Sequence, residues 1–163
     1  MSTYSKIYIQ VVFAVRGRQS LIMPSWEVLL HKYITGTVQR MEQKMIAING
    51  TSNHIHFFIG MKPSCCLSDL VREVKKSSNK FINESRITPF PFRWQEGFGA
   101  FSYHERDISR IASYIQNQKE HHKKITFKDE YSSLLKEFDI GYEMPYFNQW
   151  FEHVVPEDHE GRI

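Results

Sequence analysis

Asn49-Gly50-Thr51-Ser52-Asn53-His54-Ile55-His56-Phe57-Phe58-Ile59-Gly60-Met61 is a turn followed by a strand, and its reading decides the fold. Asn, Gly and Ser at the first five positions supply the conformations and local hydrogen bonds that a tight turn needs. From residue 54 the side chains alternate, so Ile55, Phe57 and Ile59 share one face while His54 and His56 share the other. Residues 44–50 form a second strand-like run, and the short connection predicts that the two pair as a hairpin. Upstream, Trp26, Leu29, Leu30, Tyr33, Ile34, Thr37, Val38 and Met41 keep one apolar face of a helix that Pro24 and Ser25 start. Before it, Ile7, Ile9, Val11, Phe13 and Val15 recur at period two, and Arg16-Gly17-Arg18 marks the exit of that first strand. Downstream, an amphipathic helix over about 68–83 turns Leu70, Val71, Val74, Phe81 and Ile82 inward and Arg72, Lys75, Lys76 and Lys80 outward. Beyond Pro89 and Pro91, residues 92–103 alternate again around Glu96-Gly97 and predict a last strand or a bent hairpin.

The resulting order, βαββαβ, predicts an α+β fold: a ferredoxin-like, RRM-like antiparallel sheet with both helices on one face and the other face free for chemistry. Two more helices, over 107–123 and about 127–138, precede an irregular aromatic tail. Residues 1–125 read as the functional body and 126–163 as a C-terminal helix and acidic tail of the same domain.

The 163 residues are 41% hydrophobic and 24% charged, which excludes a disordered chain and a multidomain assembly. The net charge of +3 conceals an asymmetry: residues 1–125 hold 18 Lys/Arg against nine Asp/Glu, and residues 126–163 hold three against nine. A basic body ahead of an acidic tail is the pattern of a polyanion binder. The tail is expected to pack against the body or a partner subunit and to limit non-specific binding. Cys65 and Cys66 form neither a CxxC pair nor a disulfide framework, so a reduced, cytoplasmic protein is expected. No run approaches the roughly 18 apolar residues of a membrane span, and no membrane partner is expected.

His54 and His56, two imidazoles side by side on one strand face, make half of a divalent-metal site and require further ligands from elsewhere in the chain. The helix over 107–123 is where such a ligand is sought. Its apolar stripe is Ile108, Ile111, Ala112 and Ile115, and Tyr114 and Gln118 lie together on one flank of that stripe, one turn apart.

His54-Ile55-His56 resembles the His-hydrophobic-His motif, and Tyr114-Ile115-Gln116-Asn117-Gln118 the Tyr-x-x-x-Gln motif, of the single-tyrosine HUH transposases of small bacterial insertion sequences and their domesticated relatives associated with repetitive extragenic palindromes. The segments 94–102 and 117–122 share the likeness, which spans roughly residues 3–138. The resemblance implies metal-dependent cleavage of single-stranded DNA, with Tyr114 as nucleophile and His54, His56 and Gln118 as ligands of Mg²⁺ or Mn²⁺. It implies a 5′-phosphotyrosine and a free 3′-OH, followed by strand rejoining, on imperfect hairpins at element ends. It also implies a homodimer for mobile members and a monomer for some domesticated ones. A relaxase would place its tyrosine before the histidines, whereas Tyr114 lies 58 residues after His56. A rolling-circle replication initiator is the first alternative, though it would characteristically carry Lys at the position of Gln118. A non-catalytic single-strand-binding module is the second, with Phe58, Phe101 and Tyr103 available to stack bases. Arg16, Arg18, Arg72, Lys75, Lys76, Lys80, Lys123 and Lys124 are candidate phosphate contacts. No general base for Tyr114 is assigned.

Overall fold

A computed structural model describes residues 2–19, 21–142 and 147; most of the acidic aromatic tail lies outside the described residues. Four strands, β1 (Tyr8–Ala14), β2 (Lys44–Gly50), β3 (His54–Gly60) and β4 (Gly99–Tyr103), form one sheet in the order β2-β3-β1-β4. All three pairings are antiparallel, which is the sheet that the βαββαβ order predicts. β3 is thus an inner strand, with His54 opposite Ala14 and His56 opposite Val12 on β1.

Helices α1 (Pro24–Arg40) and α2 (Leu67–Glu84) cover one face, as expected. Val11 and Phe13 of β1 and Ile55, Phe57 and Ile59 of β3 meet Leu30, Ile34 and Val38 of α1 and Leu70, Val74 and Ile82 of α2 in the main core. Residues with odd numbers on β1 and β3 point here because successive strand side chains alternate.

The opposite face is not free. Helix α3 (Ile108–Gln116) packs Ile111 and Ile115 on Ala47 and Phe58, and helix α5 (Phe127–Glu137) packs Phe127, Leu134 and Leu135 on Val12, Ala14 and Phe101. These sheet residues are themselves apolar, and an uncovered patch of that size would stay in contact with water. Phe58 and Phe101 are buried in these clusters, so neither is presented for stacking on a base. From the tail, Phe147 is buried in the α5 cluster.

Two expectations change in detail. The helix expected over 107–123 breaks at Asn117 (φ −92°, ψ 15°) into α3 and a short helix α4 (Gln118–His121), because Asn117 closes α3 as its C-cap, donating to the Ser113 carbonyl. The alternating run 92–103 contributes β4 and one isolated bridge, Val15 to Trp94, separated by Gly97 in the left-handed region (φ 79°).

The β2–β3 turn permits no side chain at its start. A Cβ on Gly50 would lie 2.1 Å from the His54 carbonyl oxygen, so the two strands approach closely where the first imidazole leaves the sheet. Gly50→Ala should cost roughly 1–3 kcal/mol and lower Tm by roughly 2–12 °C in a thermal melt; an unchanged Tm would show that the turn can open.

Candidate active site

Seven side chains from β3, the α3–α4 segment and α5 converge on the sheet face opposite α1 and α2. His54 and His56 leave adjacent outward positions of β3 with ring centroids 5.2 Å apart, and both rings are fully buried. Each is fixed from behind. His54 Nδ1 faces Asn53 Oδ1 at 2.7 Å and Thr51 Oγ1 at 3.0 Å, while Thr51 directs its own hydroxyl at Asn53. His56 Nδ1 faces Gln10 Oε1 at 2.8 Å, the amide nitrogen of Gln10 being turned to Tyr103. These oxygens are acceptors, so in each neutral ring the hydrogen sits on Nδ1 and the Nε2 lone pair points into the cluster. Phe127 stacks on His54 at a centroid distance of 4.0 Å and excludes water from its other side.

Glu130 of α5 lies among them. Its side chain is 2% exposed, with Oε1 2.9 Å from His56 Nε2 and 3.5 Å from His54 Nε2. Its Oε2 accepts from Gln118 Nε2 at 2.9 Å and from the Tyr114 hydroxyl. Gln118 Oε1 in turn lies 3.1 Å from His54 Nε2 and 3.1 Å from His122 Nε2. The break at Asn117 keeps Gln118 buried while Tyr114 remains half-buried, so the two motif residues still meet at one carboxylate.

Electrostatics follow from this burial. Burial pushes the His54 imidazole down to about 4, against hydrogen bonding to Glu130, and keeps it neutral. Burial alone would raise the Glu130 carboxyl, but the His122, His54 and His56 rings that crowd it hold it well below the usual carboxylate range. Burial, the Glu130 charge and the hydrogen bond to that carboxylate all push the Tyr114 hydroxyl upward. The resting cluster therefore holds Tyr114 protonated.

Tyr114 also borders a cleft of about 250 Å³ between α3 and α5, lined in part by Tyr103, Arg110, His121 and Glu130. Arg110 stands one turn before Tyr114 on the same helix, and its guanidinium lies over the Tyr103 ring.

The sequence-predicted residues divide into two groups. His54, His56, Tyr114 and Gln118 come together. The basic candidates do not. Arg72, Lys75, Lys76 and Lys80 belong to α2, across the sheet from the imidazoles. Lys75 donates to the Gln95 and Gly97 carbonyls, Arg72 pairs with Asp69, and Lys80 lies 3.9 Å from Glu84. Arg16 is exposed beside a second cleft with Arg93, and Arg18 lies in the same 3-10 turn as Arg16. Lys123 pairs with Glu120, and Lys124 is exposed. Glu130, His122 and Gln10 were missed by sequence reasoning. Glu130 carries a readable signal: Phe127, Glu130 and Leu134 follow i, i+3, i+7, so a carboxylate occupies the buried stripe of its helix.

The donor set suits a divalent ion. Both motif imidazoles donate their Nδ1 hydrogens outward and aim Nε2 inward, which is how metal-ligating histidines are held, and amide and carboxylate oxygens complete the set.

Comparison with protein families matches residues 3–118 to the family described as transposase, IS200-like, and the chain belongs to that family. Comparison with curated protein sequences finds no match. Among solved structures, a protein from Deinococcus radiodurans R1 assigned as a transposase is similar over 72% of this chain and 95% of its own, with 16% identity and a TM-score of 0.59. The REP-associated tyrosine transposase bound to a REP hairpin is similar over 77% of this chain and 76% of its own, with 18% identity and a TM-score of 0.56. At these identities the two structures establish the shared fold.

A His54 pKa near 4 in the folded state, against about 6.5 unfolded, makes its contribution to stability present above pH 6.5 and lost as pH falls through 4. In EDTA, urea unfolding should lose about 3 kcal/mol over that interval. His54→Gln should flatten the dependence, and a parent protein equally stable at pH 4 and 7 would contradict a neutral, buried imidazole.

Proposed function

We propose that this chain is a single-strand DNA transposase acting on hairpin ends through Tyr114. The observation that carries this reading is the meeting of Tyr114 and Gln118 with His54 and His56 in one buried cluster. Family membership supports it, and the hairpin named with the similar REP-associated transposase supports a hairpin substrate. The scissile phosphate would reach Tyr114 from the cleft that Arg110 and His121 border, where the guanidinium offsets phosphate charge. Tyr114 Oη attacks phosphorus, the P–O3′ bond breaks, and the tyrosine hydroxyl proton is balanced by the one that completes the 3′-OH. The phosphotyrosine keeps the ester bond, so a second 3′-OH can displace Tyr114 and rejoin strands without ATP. His54, His56 and Gln118 would hold Mg²⁺ or Mn²⁺, which supplies charge stabilisation at a non-bridging phosphate oxygen.

The residues act mainly by placement. Gln118 and Tyr114 flank the Asn117 break, so one short segment sets both the metal side and the nucleophile. Glu130 restrains the Tyr114 hydroxyl, and the same chain provides every member of the cluster, which favours a site assembled within one subunit. Burial of Phe58 and Phe101 disfavours the non-catalytic sheet-binding alternative.

Labelled single-stranded hairpin DNA from the gene's own flanks should give a covalent adduct with Mg²⁺ or Mn²⁺. EDTA should abolish it, and Tyr114→Phe should form none while binding the same DNA. An adduct with the Phe variant would remove Tyr114 as nucleophile, and an adduct in EDTA would remove the metal role.

A further inference from the structure

Besides the part-exposed His121, whose Nε2 lies 3.3 Å from Glu130 Oε2, the cluster contains two side chains that neither motif names, and both are held as ligands are held. His122 directs Nδ1 at the Ile125 carbonyl oxygen at 2.9 Å, so in the neutral ring that nitrogen carries the hydrogen. Its Nε2 lone pair then faces Glu130 Oε1 at 3.0 Å and Gln118 Oε1 at 3.1 Å. His54 and His56 repeat the arrangement, with outward Nδ1 hydrogens and inward Nε2 lone pairs at 3.5 and 2.9 Å from the same Glu130 oxygen. Three imidazoles and two oxygens therefore direct electron pairs at one another inside a nearly dry space. Such contacts repel unless a proton on one ring or a metal ion stands among them. One donor atom each from His54, His122 and Glu130 lies within 4.8 Å of the others, a separation that bonds of about 2 Å to a shared ion span with small adjustment.

We infer that His122 and Glu130 ligate the same ion as His54 and His56, and that this set of three imidazoles and a carboxylate selects a transition ion such as Mn²⁺ over Mg²⁺. This rests on the reading of the cluster as a metal centre and deepens it. Imidazole nitrogen suits transition ions, whereas Mg²⁺ favours an all-oxygen octahedron and sheds its waters reluctantly. Gln118, by this account, shares its amide between the ligands: Nε2 fixes Glu130 Oε2 and Oε1 faces the rings of His54 and His122. Glu130 also ties the ion site to the nucleophile, because its second oxygen receives the Tyr114 hydroxyl.

Mn²⁺ binding to the full chain can be followed by loss of the free-ion electron paramagnetic resonance signal, without DNA. The parent should bind Mn²⁺, and a tenfold excess of Mg²⁺ should displace less than half of it. His122→Ala and Glu130→Ala should each weaken binding at least tenfold, with Glu130→Gln intermediate and circular dichroism confirming the fold. If both variants bind within twofold of the parent while His54→Ala and His56→Ala do not, the inference falls and the two-motif metal reading stands. If the parent binds no Mn²⁺, both fall. Pulsed measurement of nitrogen couplings on the Mn²⁺-loaded protein identifies the rings directly: couplings to three imidazoles are expected in the parent, and a set of couplings that His122→Ala leaves unchanged would overturn the assignment of His122. Full displacement by equimolar Mg²⁺ would overturn the selectivity.

Discussion

The interaction on which the site depends is the burial of the Glu130 carboxylate among imidazoles. A carboxylate with 2% of its side chain exposed loses nearly all of its hydration, and the loss has to be offset by hydrogen bonds or positive charge. Glu130 meets that demand with partners from three separate parts of the chain: His54 and His56 on β3, Gln118 and His122 around α4, and Tyr114 on α3. Because each partner also needs Glu130, the position of α5 on the sheet and the geometry of the site are one constraint. Removing either side leaves the other with polar atoms buried and unpartnered.

This constraint explains why the sheet face carrying the imidazoles is roofed. An open face would leave Val12, Ala47, Phe58 and Phe101 in water and would hydrate His54 and His56. The roof of α3 and α5 dries the site, strengthens its electrostatics and leaves a cleft beside Tyr114. It also places Tyr114 and the buried imidazole, amide and carboxylate groups on elements that pack against the sheet, so a phosphate in that cleft would meet prearranged groups. The charge distribution acquires a different meaning as well. Glu130 belongs to the acidic C-terminal segment, so part of that negative charge lies at the centre of the site and is compensated there.

Much of this was legible in the order of residues. Period-two and period-3.6 patterns located four strands and the two helices of the main core, because backbone geometry alone relates those periods to faces. The pairing of His54 with His56, and of Tyr114 with Gln118, follows from strand alternation and helical pitch, which act over a few residues. The break at Asn117 was not legible, since a polar residue in an amphipathic stretch is compatible with a continuous helix until its neighbours claim Gln118 for the interior. Nor was the second covered face, although the apolar side chains at Val12, Phe58 and Phe101 required a cover. The functions of the basic side chains were not legible either: Lys75 has the same appearance in sequence whether it meets phosphate or, as here, two backbone carbonyls.

The amino-acid sequence by itself determined the strands, the amphipathic helices and the two short motifs, because each depends on periodicities local in the chain. Only the tertiary structure decided that His122 and Glu130 stand with those motifs. Glu130 lies 76 residues after His54 in the chain, and its partners are chosen by where α5 buries Phe127, Leu134 and Leu135. A charge on the buried stripe of a helix signals that it has a partner; the packing of the whole fold selects which one.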